Sequence, residues 1–134
     1  MTIHASAEDY LETILILIQN ENTVRSVDIA NELGYSRPSV SKAIRNLREE
    51  EYIEVDDGGY ITLTSKGQII AESMYERHIL ISDWLIYMGV DKKTAVSDAC
   101  GMEHSMSEKS FTAIKKHVEQ WKRDIYHTSD SRIE

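Results

Sequence analysis

Apolar residues recur at helical spacing along most of the chain, with one short interruption of β-prone character. Tyr10, Leu11, Ile14, Leu15 and Ile18 predict a first helix over 7–20, capped at Ser6. A second helix, over 26–33, starts at Ser26, turns Ile29, Ala30 and Leu33 inward, and stops at Gly34, which can adopt the left-handed conformation that ends helices. The third starts after Ser36, whose hydroxyl can cap open backbone N–H groups. Pro38 sits in its first turn, where a missing donor costs nothing. This helix runs to about Glu50. Val40, Ala43, Ile44 and Leu47 share one stripe, which leaves Arg37, Ser39, Lys42 and Arg45 facing outward.

Ile53–Val55 and Tyr60–Leu63 are short β-prone runs separated by Asp56-Asp57-Gly58-Gly59, a hairpin signal because such turns need positive φ. The pattern then returns to helix over 65–88, turns at Gly89, and continues over about 92–104 and 108–125. Ile79, Leu80, Trp84 and Leu85, with Phe111, Ile114, Val118, Trp121 and Ile125, offer more apolar surface than the three helices and hairpin before them would cover. Residues 127–134 are polar and are expected to form a flexible tail.

Two short helices joined by a tight turn, the second one basic, followed by a hairpin, have the order of a winged helix-turn-helix. The expected fold is mainly α. A winged helix-turn-helix with a two-stranded β-hairpin wing occupies 1–64, and an α-helical domain over 65–126 supplies a homodimer interface.

Charge supports this only when read locally. The 134 residues carry a formal net charge of −8, which argues against nucleic acid if averaged over the chain. Residues 1–36, however, hold Glu8, Asp9, Glu12, Glu21, Asp28 and Glu32 against Arg25 alone, while 37–48 hold Arg37, Lys42, Arg45 and Arg48 with no acid. A basic helix of this kind fits the major groove of double-stranded operator DNA. Ser36, Pro38, Ser39 and Lys42 would face bases, Arg37, Arg45 and Arg48 would hold phosphates, and the wing near Gly58 would touch the adjacent groove. No leader pattern or membrane-length apolar run is present, so a cytoplasmic protein without a membrane partner is expected.

Side chains with metal chemistry occur in two separate places. Asp9 and Glu12, spaced i, i+3, share a face of the first helix, and Cys100, Glu103 and His104 place a thiolate, a carboxylate and an imidazole on one turn. His78 lies between them in sequence. The set suits a borderline divalent metal held by facing helices. Each member also has a plainer reading: Asp9 as the partner of a Ser6 capping box, Glu12 as a solvated helix residue, Cys100 as core filler, and His78 as an interior histidine.

The runs Ala7-Glu8-Asp9-Tyr10-Leu11-Glu12, Val27-Asp28-Ile29-Ala30, Ser39-Val40-Ser41-Lys42, Ile61-Thr62-Leu63-Thr64-Ser65-Lys66-Gly67, Arg77-His78 and Cys100-Gly101-Met102-Glu103-His104 resemble the DtxR/MntR family of metal-dependent transcriptional repressors. The resemblance covers roughly 7–125. It implies a homodimeric repressor of metal-uptake genes, in a short form without a further C-terminal domain, that binds operator DNA when Fe(II) or Mn(II) is available. By position it makes Asp9, Glu12, His78, Cys100, Glu103 and His104 metal ligands, and places Pro38 and Lys42 against bases. Co(II), Zn(II) and Ni(II) are ions that such donors also take in vitro. Asp9 together with Cys100 mixes features of the manganese and iron branches. Ser82 and Val96 stand where some relatives carry ligands of an ancillary site, so no such site is expected. Two rivals are a metal-independent regulator sensing oxidants through Cys100 and a metallohydrolase, which lacks any visible substrate loop; no enzyme is expected.

Overall fold

A computed structural model describes the backbone of residues 5–133 and the side chains of residues 5–125. The element order is α1 (Ala5–Glu21), α2 (Ser26–Leu33), α3 (Arg37–Glu49), β1 (Ile53–Val55), β2 (Ile61–Leu63), α4 (Ser65–Tyr87), α5 (Lys92–Met102) and α6 (Glu108–Ile133). The chain forms two compact units, Met1–Glu76 and Arg77–Glu134, with the boundary inside α4.

The first unit is built around apolar side chains that the helical spacing had brought to single faces. Leu11 and Ile14 of α1, Ile29 of α2, Val40, Ile44 and Leu47 of α3, and Ile53 and Ile61 of the hairpin are buried in one cluster. Each full burial of such a side chain contributes about 1.5–3 kcal/mol. Gly34 closes α2 at φ 70°, a backbone conformation unfavourable for a side chain with a Cβ. α2 spans Ser26–Leu33, the bounds its pattern predicts. Arg25 is its cap, and the Asp28 carboxylate accepts the Arg25 backbone N–H at 2.8 Å. Ser6 lies inside α1 and is not its cap.

The hairpin is antiparallel, pairing Ile53 with Leu63, Glu54 with Thr62 and Val55 with Ile61. Its turn depends on Asp56, whose Oδ1 accepts the N–H groups of Gly58 and Tyr60, each at 2.9 Å. The positive φ falls on Gly59, at 83°. Tyr60 therefore belongs to the turn, and β2 begins one residue later than its pattern suggests. The β2 edge is extended by the Ile61 N–H, which donates to the Val24 carbonyl at 2.8 Å.

α4 enters through a close approach. Thr64 Oγ1 accepts the Gly67 N–H at 3.1 Å and donates to the Glu51 carbonyl at 2.7 Å, while Lys66 Nζ reaches the Glu50 carbonyl at 3.0 Å. A Cβ on Gly67 would lie 2.0 Å from the Tyr52 carbonyl oxygen, so this contact admits only glycine.

In the second unit Ile81, Ala95, Ala99, Phe111 and Val118 are buried. α5 is capped by Asp91, whose carboxylate accepts the Thr94 N–H at 3.0 Å. These bonds hold the Asp91 pKa below its ordinary value of 3.8. α5 ends at Met102, two residues before the expected boundary, and Glu103 and His104 lie in the turn that follows. α6 extends to Ile133, beyond its apolar stripe. Ile79, Ile86, Tyr87, Met88, Val96 and Ile125 remain exposed.

Candidate nucleic-acid interface and metal-ligating residues

α3 is set up from its first turn. Ser36 Oγ accepts the Ser39 N–H at 3.3 Å and donates to Ser39 Oγ at 2.9 Å, with Pro38 in the position that needs no donor. Burial of Val40, Ile44 and Leu47 fixes the helix rotation and leaves Ser36, Arg37, Pro38, Ser39, Lys42, Arg45 and Arg48 in solvent. Four cations and three small first-turn residues thus share an accessible surface, suited to holding phosphates and approaching base edges.

Two neighbours escaped the sequence pattern. Tyr35, between the end of α2 and the Ser36 cap, is exposed and meets the ring of buried Tyr10 at 6.0 Å. Burial pushes the Tyr10 phenol pKa upward, and the nearby Tyr35 and Asp9 add to the shift. Arg25 had counted only as a lone cation among acids. Its guanidinium lies 4.7 Å from the centre of the Tyr60 ring and donates to the Gly58 carbonyl from Nη2 and, at 3.1 Å, from Nε. Gly58 is exposed as expected, but its carbonyl is engaged by Arg25.

In the first unit Asp9 is half-buried and Glu12 is buried on α1. With Ser6 inside the helix, Asp9 is not the partner of a cap at Ser6. In the second unit Glu103 is fully buried with one imidazole at each carboxylate oxygen. Oε2 lies 3.0 Å from His78 Nδ1, and Oε1 lies 3.3 Å from His104 Nε2. Cys100 is exposed on the last turn of α5. The structure therefore joins His78, Glu103 and His104 into one cluster within this unit. Buried carboxylates are costly unless a cation or strong hydrogen bonds compensate them. Oxygen and imidazole donors of this kind suit a divalent first-row metal, so the donor chemistry fits such an ion.

Arg77 had counted only as part of the Arg77-His78 run, with no role of its own, because an arginine in a helical pattern reads as a solvated charge. It is buried, and its Nη1 donates to the carbonyls of Glu103, at 3.0 Å, and Met106, while its Nη2 meets Glu108 Oε2 at 3.0 Å. The adjoining His78 was the only visible sign that this turn of α4 faces inward.

Residues 2–59 match the iron dependent repressor N-terminal DNA binding domain, and residues 64–130 match the iron dependent repressor metal binding and dimerisation domain. The chain belongs to the iron-dependent repressor family. Among curated relatives of this repressor, the transcriptional regulator MntR of Escherichia coli O157:H7 is 36% identical over 108 residues, covering 81% of this chain and 70% of that protein. The HTH-type transcriptional regulator MntR of Bacillus subtilis is 34% identical over 125 residues, covering 93% and 88%. Among solved structures, the manganese regulator SloR superposes with a TM-score of 0.76 at 29% identity, covering 89% of this chain and 55% of that one. A manganese-dependent transcriptional repressor in complex with manganese gives 0.75 at 27%, covering 84% and 52%. The repressor thus spans about half the length of those two structures. The family consists of metal-dependent transcriptional regulators, not enzymes, which sets aside the metallohydrolase reading; nothing in the comparisons favours a metal-independent redox sensor. Among the described residues no helix is long and apolar enough to cross a membrane.

Proposed function

We propose that this repressor binds operator DNA as a homodimer when Mn(II) is available, acting in the cytoplasm, where the DNA is, to shut off metal-uptake genes. Fe(II) is the second candidate ion. Residues 1–64 read DNA, and residues 65–126 bind metal and dimerise. The observation that carries the reading is the fully buried Glu103 carboxylate between the His78 and His104 imidazoles, inside the stretch that matches a metal-binding domain. Manganese, named for both of those structural relatives, favours Mn(II) over Fe(II), as do the carboxylates of the donor set.

The resemblance to the family's ligand positions makes Asp9, Glu12, His78, Glu103 and His104 the proposed donors to the ion. His78 Nδ1 lies beside Glu103 Oε2, at 3.0 Å, and joins it as a proposed ligand, while Cys100 is a further ligand recruited by softer ions. When bound, the ion supplies positive charge among three carboxylates. Asp9 and Glu12 belong to the helix that carries the reading module, so donors drawn from both units tie DNA reading to dimerisation. The dimer geometry in which two reading helices meet successive major grooves, about 34–36 Å apart, is thereby selected from the metal-free ensemble. Coupling of this kind amounts to about 1–3 kcal/mol. The test is anaerobic titration of operator DNA at buffered free Mn(II), Fe(II), Co(II) and Zn(II). Tighter binding with Mn(II) is expected, and equal affinity with and without metal overturns the proposal.

A further inference from the structure

The buried guanidinium of Arg77 spans a whole inter-helix turn. Three of its contacts fall on consecutive parts of the segment joining α5 to α6: the Glu103 carbonyl, the Met106 carbonyl and the Glu108 carboxylate. Its guanidinium carbon also lies 5.1 Å from the centre of the Phe111 ring, on the first turns of α6. The Arg77 side chain is only 6% exposed, whereas that of Glu108 is 78% exposed. The ion pair therefore accounts for little of this arrangement, because an exposed carboxylate is well screened. The two carbonyls remain. Both lie between α5 and α6 and accept from the same cation, which ties residues 103 and 106 to α4 one position before His78.

We propose that Arg77 is a positioning residue for metal binding, acting through the backbone of the 103–106 turn. It fixes the main chain from which the Glu103 and His104 side chains project, while its neighbour His78 lies against Glu103 Oε2 at the side-chain end. Glu103 is thus held at both ends by consecutive residues of α4. The planar guanidinium fork matches two carbonyls and a carboxylate at once, a geometry an ammonium cannot reproduce. Partners that orient metal ligands in this way change affinity by about 10–100-fold when removed.

This inference rests on the proposed metal-binding role, and the experiment separates the two. Mn(II) affinity is measured by calorimetry on the wild-type protein, Arg77→Lys and Arg77→Gln, together with the thermal unfolding of each without metal. Arg77→Lys keeps the buried charge and the aliphatic stem, so it guards against simple loss of the fold. The expected result is a Kd about tenfold weaker in Arg77→Lys, weaker still in Arg77→Gln, measured well below their unfolding temperatures. Lower unfolding temperatures with wild-type Kd values in the folded variants assign Arg77 a merely structural role and overturn the inference. A wild-type protein that binds no Mn(II) overturns the underlying metal reading instead.

Discussion

Arg25 fastens the wing by donating to the Gly58 carbonyl while lying over the Tyr60 ring. Although exposed, the Arg25 guanidinium is engaged by the hairpin, so it is expected to place the wing rather than to neutralise phosphate. Arg25→Met is expected to destabilise the protein by about 1 kcal/mol, from the charged hydrogen bonds and the cation–π contact. Operator affinity should fall while the slope of log affinity against log salt stays the same. A shallower slope would show instead that Arg25 contacts phosphate.

Arg45 and Lys42 provide the contrast, since both stand in solvent on α3. Arg45→Ala should weaken binding equally on all sequences and lower the salt slope by about 1, as expected for a lost phosphate contact. Lys42→Ala should relax preference at one operator position by about 1–3 kcal/mol, because its place near the helix start brings it to base edges. Binding to a panel of single-base operator variants at several salt concentrations distinguishes the two roles. Uniform loss for both variants would remove Lys42 from the base-reading set.

Gly67 is a stability prediction. With a Cβ only 2.0 Å from the Tyr52 carbonyl oxygen, Gly67→Ala must push the start of α4 away from β1 or strain the backbone. Overpacking of this kind costs about 1–3 kcal/mol, and denaturant unfolding measures it. An unchanged midpoint would mean that the α4 entry shifts freely.

The hairpin, the Ser36 cap and the outward basic face of α3 were legible because each depends on local pattern: alternation, a capping hydroxyl, a 3.6-residue stripe. Asp9, Glu12, His78, Cys100, Glu103 and His104 were legible as donor types at suggestive spacings. Arg25 and Arg77 were not. Both act on backbone carbonyls distant in sequence, Gly58 from Arg25 and Glu103 and Met106 from Arg77, and carbonyls leave no trace in residue identity. The early end of α5 has a similar origin. Lys92–Met102 could continue on propensity alone, but the chain turns where Glu103 becomes buried and its carbonyl turns to Arg77.

Asp91 makes the cap of α5 sensitive to acid. Its pKa is lowered in the fold, first by the Thr94 N–H and then by the Thr94 hydroxyl. A depressed carboxyl contributes stability above its unfolded pKa, near 3.8, and loses that contribution as pH falls through the lower folded value. Asp91→Asn keeps a capping oxygen but cannot titrate, so its stability relative to wild type should improve as pH drops below about 4. Parallel wild-type and variant curves down to pH 2 would remove Asp91 as a source of acid lability.

As a member of the proposed ligand set, Cys100 would decide how soft the metal site is. It is exposed at the last turn of α5, three residues before Glu103, and it is the one sulfur donor in the proposed ligand set. Thiolates discriminate among divalent ions more by softness than by charge. Cys100→Ser should therefore leave Mn(II) affinity within a few-fold of wild type while weakening Zn(II) and Co(II) by tenfold or more. Anaerobic Co(II) titration supplies a direct readout, because a bound thiolate gives a sulfur-to-cobalt charge-transfer band in the near ultraviolet. Wild type should develop that band and Cys100→Ser should not. A wild-type Co(II) complex without it would exclude Cys100 from the ligands and leave an all-oxygen and imidazole site, while retained Zn(II) affinity in the serine variant would point the same way.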